Sequence, residues 1–332
     1  MAARVLAVPA LLLVAYGIIP AFGSEYLFDA ILTPFLALSL AALGLNLLAG
    51  YAGQVSLGTS AFMAVGAYAA YNLDLRLPGL PFLAAVLLGG VITALVGLVF
   101  GLPSLRLRGF YLAVSTLAAQ FFIPWALNKF GWFSNDDPSG VIAAPRLAVG
   151  PFHFDTSLGR YLFSLMIVTA VTLFAARLVR TETGRSFIAI RDHETAARII
   201  GIRVLRTKLV AFAISSFIVG IAGVLWAFAY LRTVEPDGFT LDRSFQILFM
   251  VILGGLATLR GAFLGAAVMV VLPLLLSRAG QATLGSVFDS GALEMSQRVL
   301  IGMLVIGFLI AEPAGLSALL ARVTTRRAGG AP

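Results

Sequence analysis

Long apolar runs separated by short polar stretches set the plan of this chain: residues 5–22, 27–49, 60–71, 82–101, 109–127, 161–179, 209–230, 245–256, 261–277 and 295–311. Most of these runs reach the ~17 to 25 residues that a helix needs to cross roughly 30 Å of hydrocarbon. The pattern predicts an all-α polytopic membrane protein of about ten transmembrane helices. Runs 60–71 and 245–256 are too short. They must borrow length from their neighbours, stay partly inserted, or shelter non-helical backbone inside the bundle, because lipid offers no partner to a free N–H or C=O. The first run has two readings. Arg4 before it and Ala21-Phe22-Gly23 after it fit a signal peptide, whereas its length and the apolar character of everything that follows fit a first span.

Composition agrees with the pattern. Of 332 residues 60% are hydrophobic and 11% charged, too few charges to cover a water-exposed globule. The lack of cysteine removes disulfides and thiolate sites. With His153 and His193 as the only histidines, a dedicated metal centre is not expected. The net charge of +8 sits in loops that flank apolar runs, not in a basic soluble domain of the kind that binds nucleic acid.

Basic residues in short loops favour the cytoplasm. The stretch 177–208 carries Arg177, Arg180, Arg185, Arg191, Arg198, Arg203, Arg206 and Lys208, and is expected to be cytoplasmic. Counting outward from it places Arg106, Arg108, Arg260 and the basic tail 312–332 inside, with both termini cytoplasmic. The loops 128–158 and 233–242, richer in acids, fall outside.

Two engines of transport are absent from the sequence. Neither Lys129 nor Lys208 stands in a G-x-x-x-x-G-K-[ST] phosphate loop. Acidic residues lie in loops or at run ends, where they serve poorly as intramembrane proton relays. Asp29, at the start of the second run, comes nearest and reads as interfacial. Energy therefore comes from a partner, or the chain is a passive channel.

The cytoplasmic stretch 180–208 bears on that choice. It interleaves Phe187, Ile188, Ile190, Ile199, Ile200 and Ile202 with its charges. Residues 194–201 read as a short amphipathic helix capped by Asp192, with Glu194 in its first turn and Gly201 as its stop. Such a helix either lies on lipid phosphate or docks into a groove of another protein. Glu194-Thr195-Ala196-Ala197 followed by Gly201 resembles the coupling-loop signature of permeases that bind ATPase subunits, although Thr195 intervenes where the acidic residue usually precedes the alanines. The stretches 44–70, 188–227 and 251–273, and Glu312-Pro313-Ala314-Gly315-Leu316, are similar to the branched-chain amino acid importer permeases of the M type.

That resemblance implies a single transmembrane permease domain over 1–332, with a type II (vitamin B12 importer-like) ABC permease architecture. It also implies an H-type permease partner, two cytoplasmic ATPase subunits and a periplasmic or lipid-anchored solute-binding protein. ATP and Mg would be used by the partner ATPases, with no cofactor in this chain. Arg191, Asp192, Glu194, Thr195, Ala196, Ala197 and Gly201 would form the coupling element. The solute would be a branched-chain amino acid, or in related systems urea, short amides or aromatic acids; a passive channel and a proton-coupled carrier remain the rival mechanisms.

The pathway is sought where apolar runs are interrupted. Gly50 to Gly58 contains three glycines with Gln54 and Ser56, and Leu253 to Gly261 contains Gly254 and Gly255. A helix break is tolerable in a membrane where it lines a cavity or is buried in protein, and paired breaks in two halves suggest an internal repeat. Glycines also serve close helix packing. The candidate pathway residues are Asn46, Gly53, Gln54, Ser56, Gln120, Gly254 and Gly255. The stretch 131–140 is either a receiver for a solute-binding protein or an ordinary interfacial loop.

Overall fold

The computed structural model describes residues 13–105, 111–137, 141–144, 147–149, 152–284 and positions 299, 300, 302, 303, 306–308, 310, 312 and 315–319. Helices run in chain order as α1 (14–22), α2 (Leu27–Tyr51), α3 (Thr59–Arg76), α4 (Phe82–Leu105), α5 (Tyr111–Lys129), α6 (Ser157–Arg180), α7 (Glu182–Asp192), α8 (Glu194–Ile199), α9 (Val204–Leu231), α10 (Leu241–Gly254) and α11 (Leu259–Leu284). Among the described residues, five helices are long and apolar enough to cross a bilayer: Leu27–Tyr51, Phe82–Pro103, Ser157–Arg180, Val204–Leu231 and Leu259–Arg278. Arg106, Arg108, most of the run 295–311 and most of the tail 312–332 lie outside the described residues.

α2 and α9 form the centre of the bundle. In their most apolar stretches 83% and 72% of residues are buried, against 28% in α11. α9 packs on α2, α3 and α4, while α10 and α11 pack on each other and on α2. Lipid is as apolar as leucine, so helices associate here through close contact and interhelical hydrogen bonds. At Gly66 a Cβ would stand 2.2 Å from the Gly220 carbonyl oxygen, so the backbones of α3 and α9 touch where both residues lack a side chain.

The two short runs acquire helix from their flanks. Run 60–71 extends through Asn72–Arg76 into an 18-residue helix. Run 245–256 gains Leu241–Ser244 at its start but ends at Gly254, leaving a 14-residue helix. α3 does not begin at the bundle surface. Its first residues meet Gln120, midway along α5, and Ser244 of α10.

Loops at the end predicted to be external carry the few strands. β1 (Ile142–Ala143) pairs antiparallel with β4 (Thr233–Val234), Ile142 opposite Val234, and β2 (Ala148–Val149) pairs with β3 (Phe152–His153). The loop 233–242, expected to be external, has Asp237, Thr240 and Asp242 exposed but does not lie wholly on the surface. It descends from β4 into the bundle, where Phe239 is fully buried, because α10 starts too deep to be reached along the surface. At the same end Asp29 is locked in place. Arg160 and Arg232 pair with its carboxylate at 2.9 and 2.8 Å, and Ser157 Oγ donates to it at 2.9 Å. Three helix ends, those of α2, α6 and α9, are thereby tied by one interfacial carboxylate.

Candidate functional site

The basic stretch 180–208 folds as a helical hairpin on the end opposite Asp29. Thr181 caps α7, its side-chain oxygen accepting from the Gly184 N–H. Asp192 does not cap the next helix as the sequence pattern suggested. It is the last residue of α7, and its carboxylate pairs with Arg191 at 2.8 Å. His193 occupies the cap position of α8 without a side-chain bond. The reason is length: the apolar spacing Phe187–Ile190 extends a helix through Asp192 that the charges alone did not reveal.

α8 ends at Ile199, two residues before Gly201. Gly201 has φ +92°, its N–H donates to the Arg198 carbonyl, and the Ile202 N–H donates back to the Ala197 carbonyl. This double closure satisfies orphan carbonyls through a left-handed residue that glycine supplies without a Cβ penalty. Ala197 is buried against Ile190 and Val204 in a small apolar cluster of its own. Glu194 accepts from Lys208 at 2.6 Å and from Arg198 at 3.4 Å. The hairpin is thus held to the start of α9, and it turns Thr195, Ala196, Ile199 and Ile200 outward. Ile199 is 81% and Ile200 74% exposed.

Arg191 leads from this hairpin into the bundle. Its Nη1 donates to the Gly50 carbonyl at 2.9 Å, at the point where α2 widens into π-helical turns over Leu47–Tyr51. The chain then turns at Gly53, φ +67°, and runs without helix through Gly58, bending at Leu57. Period-two alternation along this stretch turns Gly53 and Val55 outward and buries Gln54 and Ser56. Gln54 Nε2 reaches the Lys208 carbonyl at 3.4 Å, and its Oε1 is buried without a partner among the described residues.

The second break closes on the first. Gly255, φ +109°, ends α10, and Ala257 follows at φ +58°. Asn46, fully buried in α2, donates to the Thr258 carbonyl at 2.7 Å and accepts from the Ala257 N–H at 2.9 Å. A Cβ at Gly254 would lie 1.9 Å from the Gly261 carbonyl oxygen, and one at Gly315 would lie 2.4 Å from Gly255 Cα. Thr258 also donates to Ser317 at 3.1 Å. The two breaks and the 315–317 segment therefore form one polar junction beside the hairpin, with Asn46 as its bracket.

Gln120 brackets a second junction nearer the middle of the bundle. Its Oε1 accepts from the Ala61 N–H at 2.9 Å and from Ser244 Oγ at 2.8 Å, while Nε2 donates to the buried Phe239 carbonyl at 3.0 Å. Ser244 Oγ also accepts from the Ser60 N–H, and Thr116 Oγ1 accepts from the Leu57 N–H. The starts of α3 and α10 thus meet, and the first N–H groups of α3, which have no partner within the helix, are capped by side chains from α5 and α10. In both Asn46 and Gln120 the amide oxygen and the amide nitrogen each have a partner in this conformation.

Two residues of interest escaped the sequence reading. Arg243 and Gln246 lie one turn apart on α10, partly buried and alongside the buried stripe Ser244, Ile247, Met250 and Val251. The Arg243 guanidinium lies 4.4 Å from the Trp226 ring centre and donates to Gln246 Oε1; its Nε is buried without a partner. Arg243 forms no ion pair among the described residues. The clue in the sequence was the i, i+3 spacing of Arg243 and Gln246 across the start of the short apolar run 245–256, a boundary that separated the two. The stretch 131–134 forms a single helical turn followed by Asn135 and Asp136 in left-handed conformations; Pro138, Ser139 and Gly140 lie outside the described residues.

Comparison with known proteins gives this geometry a family. The family model of the branched-chain amino acid transport system permease component matches residues 27–309. The high-affinity branched-chain amino acid transport system permease protein LivM of Salmonella typhimurium is 32% identical over 252 residues, 69% of this chain and 59% of the relative. The probable branched-chain amino acid transport permease protein LivM of Methanocaldococcus jannaschii is 28% identical over 243 residues, 70% of this chain and 67% of the relative. The autoinducer 2 import system permease protein LsrC of an Enterobacter species is 33% identical over 114 residues, a third of each chain. The chain thus spans about three fifths of the length of the Salmonella relative, and no solved structure matches it. The match over 27–309 covers both breaks, Asn46, Gln120 and the exposed hairpin, and the chain belongs to the branched-chain amino acid transport system permease family.

Proposed function

We propose that this chain is the permease subunit of an ATP-binding cassette importer that moves branched-chain amino acids across the inner membrane by alternating access. Its partners in this reading are a second permease, two cytoplasmic ATPase subunits and a solute-binding protein. Both termini face the cytoplasm, and Arg191, Asp192, Glu194, Thr195, Ala196, Ala197 and Gly201 form the coupling element. One observation carries the reading: the hairpin that exposes Ile199 and Ile200 is bonded through Arg191 to the Gly50 carbonyl, at the break of the central helix. Motion imposed on the hairpin reaches the bundle through that contact.

The two helix–break–helix units, α2–α3 and α10–α11, each turn at a left-handed glycine, which supports an internal repeat and a type II permease architecture. The Gln120 junction is the closed point of the pathway, and opening it exchanges its hydrogen bonds for solute or water. Gln54 and Ser56 enter the path when the break shifts by one residue. The side of α10 that carries the partly buried Arg243 and Gln246 lines the path, because neither side chain turns to lipid without cost. Arg243 is then the cation that meets a solute carboxylate. Solutes of other chemistry remain the alternative, on the strength of the likeness to an autoinducer 2 permease.

The test is co-purification of the full chain with its ATPase subunits. The wild-type chain retains them, while the double variant Ile199→Ser, Ile200→Ser inserts and folds but recovers at least tenfold less ATPase. Failure of the well-folded wild type to retain an ATPase would overturn the importer reading. Full retention by the double variant would remove the hairpin as the contact.

A further inference from the structure

A cleft of about 440 Å³ opens between α3, α4 and α5, away from both polar junctions. Its walls are apolar and include Val65, Ala69, Val96, Ile123 and Phe122. Along α3 it extends from Arg76 back to Val65, eleven residues or roughly 16 Å at ~1.5 Å per residue. That is about the thickness of one leaflet's hydrocarbon.

The mouth of the cleft is polar and incompletely satisfied. Arg76 stacks over the Trp132 ring at 3.6 Å, and its Nη2 donates to the Trp132 carbonyl at 2.6 Å. Its Nη1 is buried without a partner, and Arg76 forms no ion pair among the described residues. Beside it Asn72 donates to the Phe133 carbonyl at 3.0 Å, leaving its Oδ1 buried and unpartnered. Because both side chains bond successive carbonyls, the lone cationic donor and the lone acceptor sit at the same depth.

That depth is the headgroup region. Trp125, Phe130 and Trp132 are all more than half exposed around the same end of α5, and exposed aromatic residues gather at membrane–water interfaces. An unpaired guanidinium at the interface above an apolar cleft one leaflet deep matches a molecule with an anionic head and a long hydrocarbon tail.

We propose that this cleft binds one phospholipid from the leaflet at this end. Its phosphodiester oxygens accept from Arg76 Nη1, a headgroup hydroxyl or ammonium donates to Asn72 Oδ1, and one acyl chain lies between α3, α4 and α5. The lipid fixes the outer half of α3 independently of the α2–α3 break.

Native mass spectrometry of the full chain in mild detergent tests this. The wild type carries one tightly held phospholipid, and millimolar inorganic phosphate does not displace it. Arg76→Gln removes the phosphate contact and Ala69→Phe fills the tail cleft with Arg76 intact; each lowers the lipid-bound fraction at least tenfold. Thermal unfolding with added phospholipid raises the midpoint for the wild type and for neither variant. Should Arg76→Gln fail to fold, Ala69→Phe and Arg76→Lys decide the matter: the first sheds the lipid and the second keeps it in part. Wild-type lipid retention by Ala69→Phe, displacement by inorganic phosphate, or lipid loss that accompanies a changed oligomeric state would each overturn the proposal. The last would assign the cleft to a second subunit.

Discussion

Replacing Asn46 by alanine tests the claim that one side chain holds the two helix breaks together. The substitution deletes a donor 2.7 Å from the Thr258 carbonyl and an acceptor 2.9 Å from the Ala257 N–H, at a site with no solvent access. Interhelical hydrogen bonds in membranes average ~0.6 kcal/mol and reach ~1.7, because the disrupted state finds other partners. Two average bonds would therefore cost about 1.2 kcal/mol. The Thr258 carbonyl keeps the Gly261 N–H as a partner, but the released Ala257 N–H belongs to non-helical backbone, at φ +58° beside Gly255 at φ +109°, and cannot close a helical bond in place. A buried group left unpaired costs roughly 1 to 3 kcal/mol. The expected loss is about 2 to 3 kcal/mol, or roughly 30- to 140-fold in the opening of this junction at tenfold per 1.4 kcal/mol.

Reversible unfolding in mixed micelles, followed through the three tryptophans, measures the global loss. The absence of native cysteine allows a single Ala257→Cys reporter, whose labelling rate measures local opening. The aspartate variant keeps the acceptor and loses the donor, and should be no more stable than the alanine variant. Stability within about 0.5 kcal/mol of wild type, with unchanged labelling, would refute the bracket and the reasoning that buried break backbone depends on it.

Other expectations follow from the same contacts. Arg191→Ala should leave insertion and ATPase binding intact but lower solute-dependent ATP hydrolysis by the complex tenfold or more; equal hydrolysis would break the link from hairpin to Gly50. Arg160→Ala should cost roughly 2 to 3 kcal/mol, below the ~3 to 5 of a fully buried pair because Asp29 is one-third exposed and keeps two other partners. Arg232→Ala, on a side chain 57% exposed, should cost less than about 1 kcal/mol in the same unfolding assay. Arg243→Gln should reduce uptake of an amino acid while leaving folding and basal ATP hydrolysis unchanged, and uptake at the wild-type rate would remove it from the path.

What the sequence determined was everything that depends on local composition. Apolar runs long enough to span, the scarcity of charges and the basic stretch around Arg191 follow from residue type alone, because transfer into lipid is a property of each segment. Gly53, Gly201 and Gly255 permit the left-handed backbone found there, but glycine allows either sign of φ, and the fold selects which glycines use it. Only the tertiary structure decided where those segments meet. It joined Asn46 to Thr258, which lie 212 positions apart, and Ser60 to Ser244, 184 apart. It also turned Gln54 and Ser56 inward and showed the side of α10 that carries Arg243. In a bilayer a polar side chain must find a partner, but many partners satisfy that demand equally, and packing of the whole bundle chooses among them.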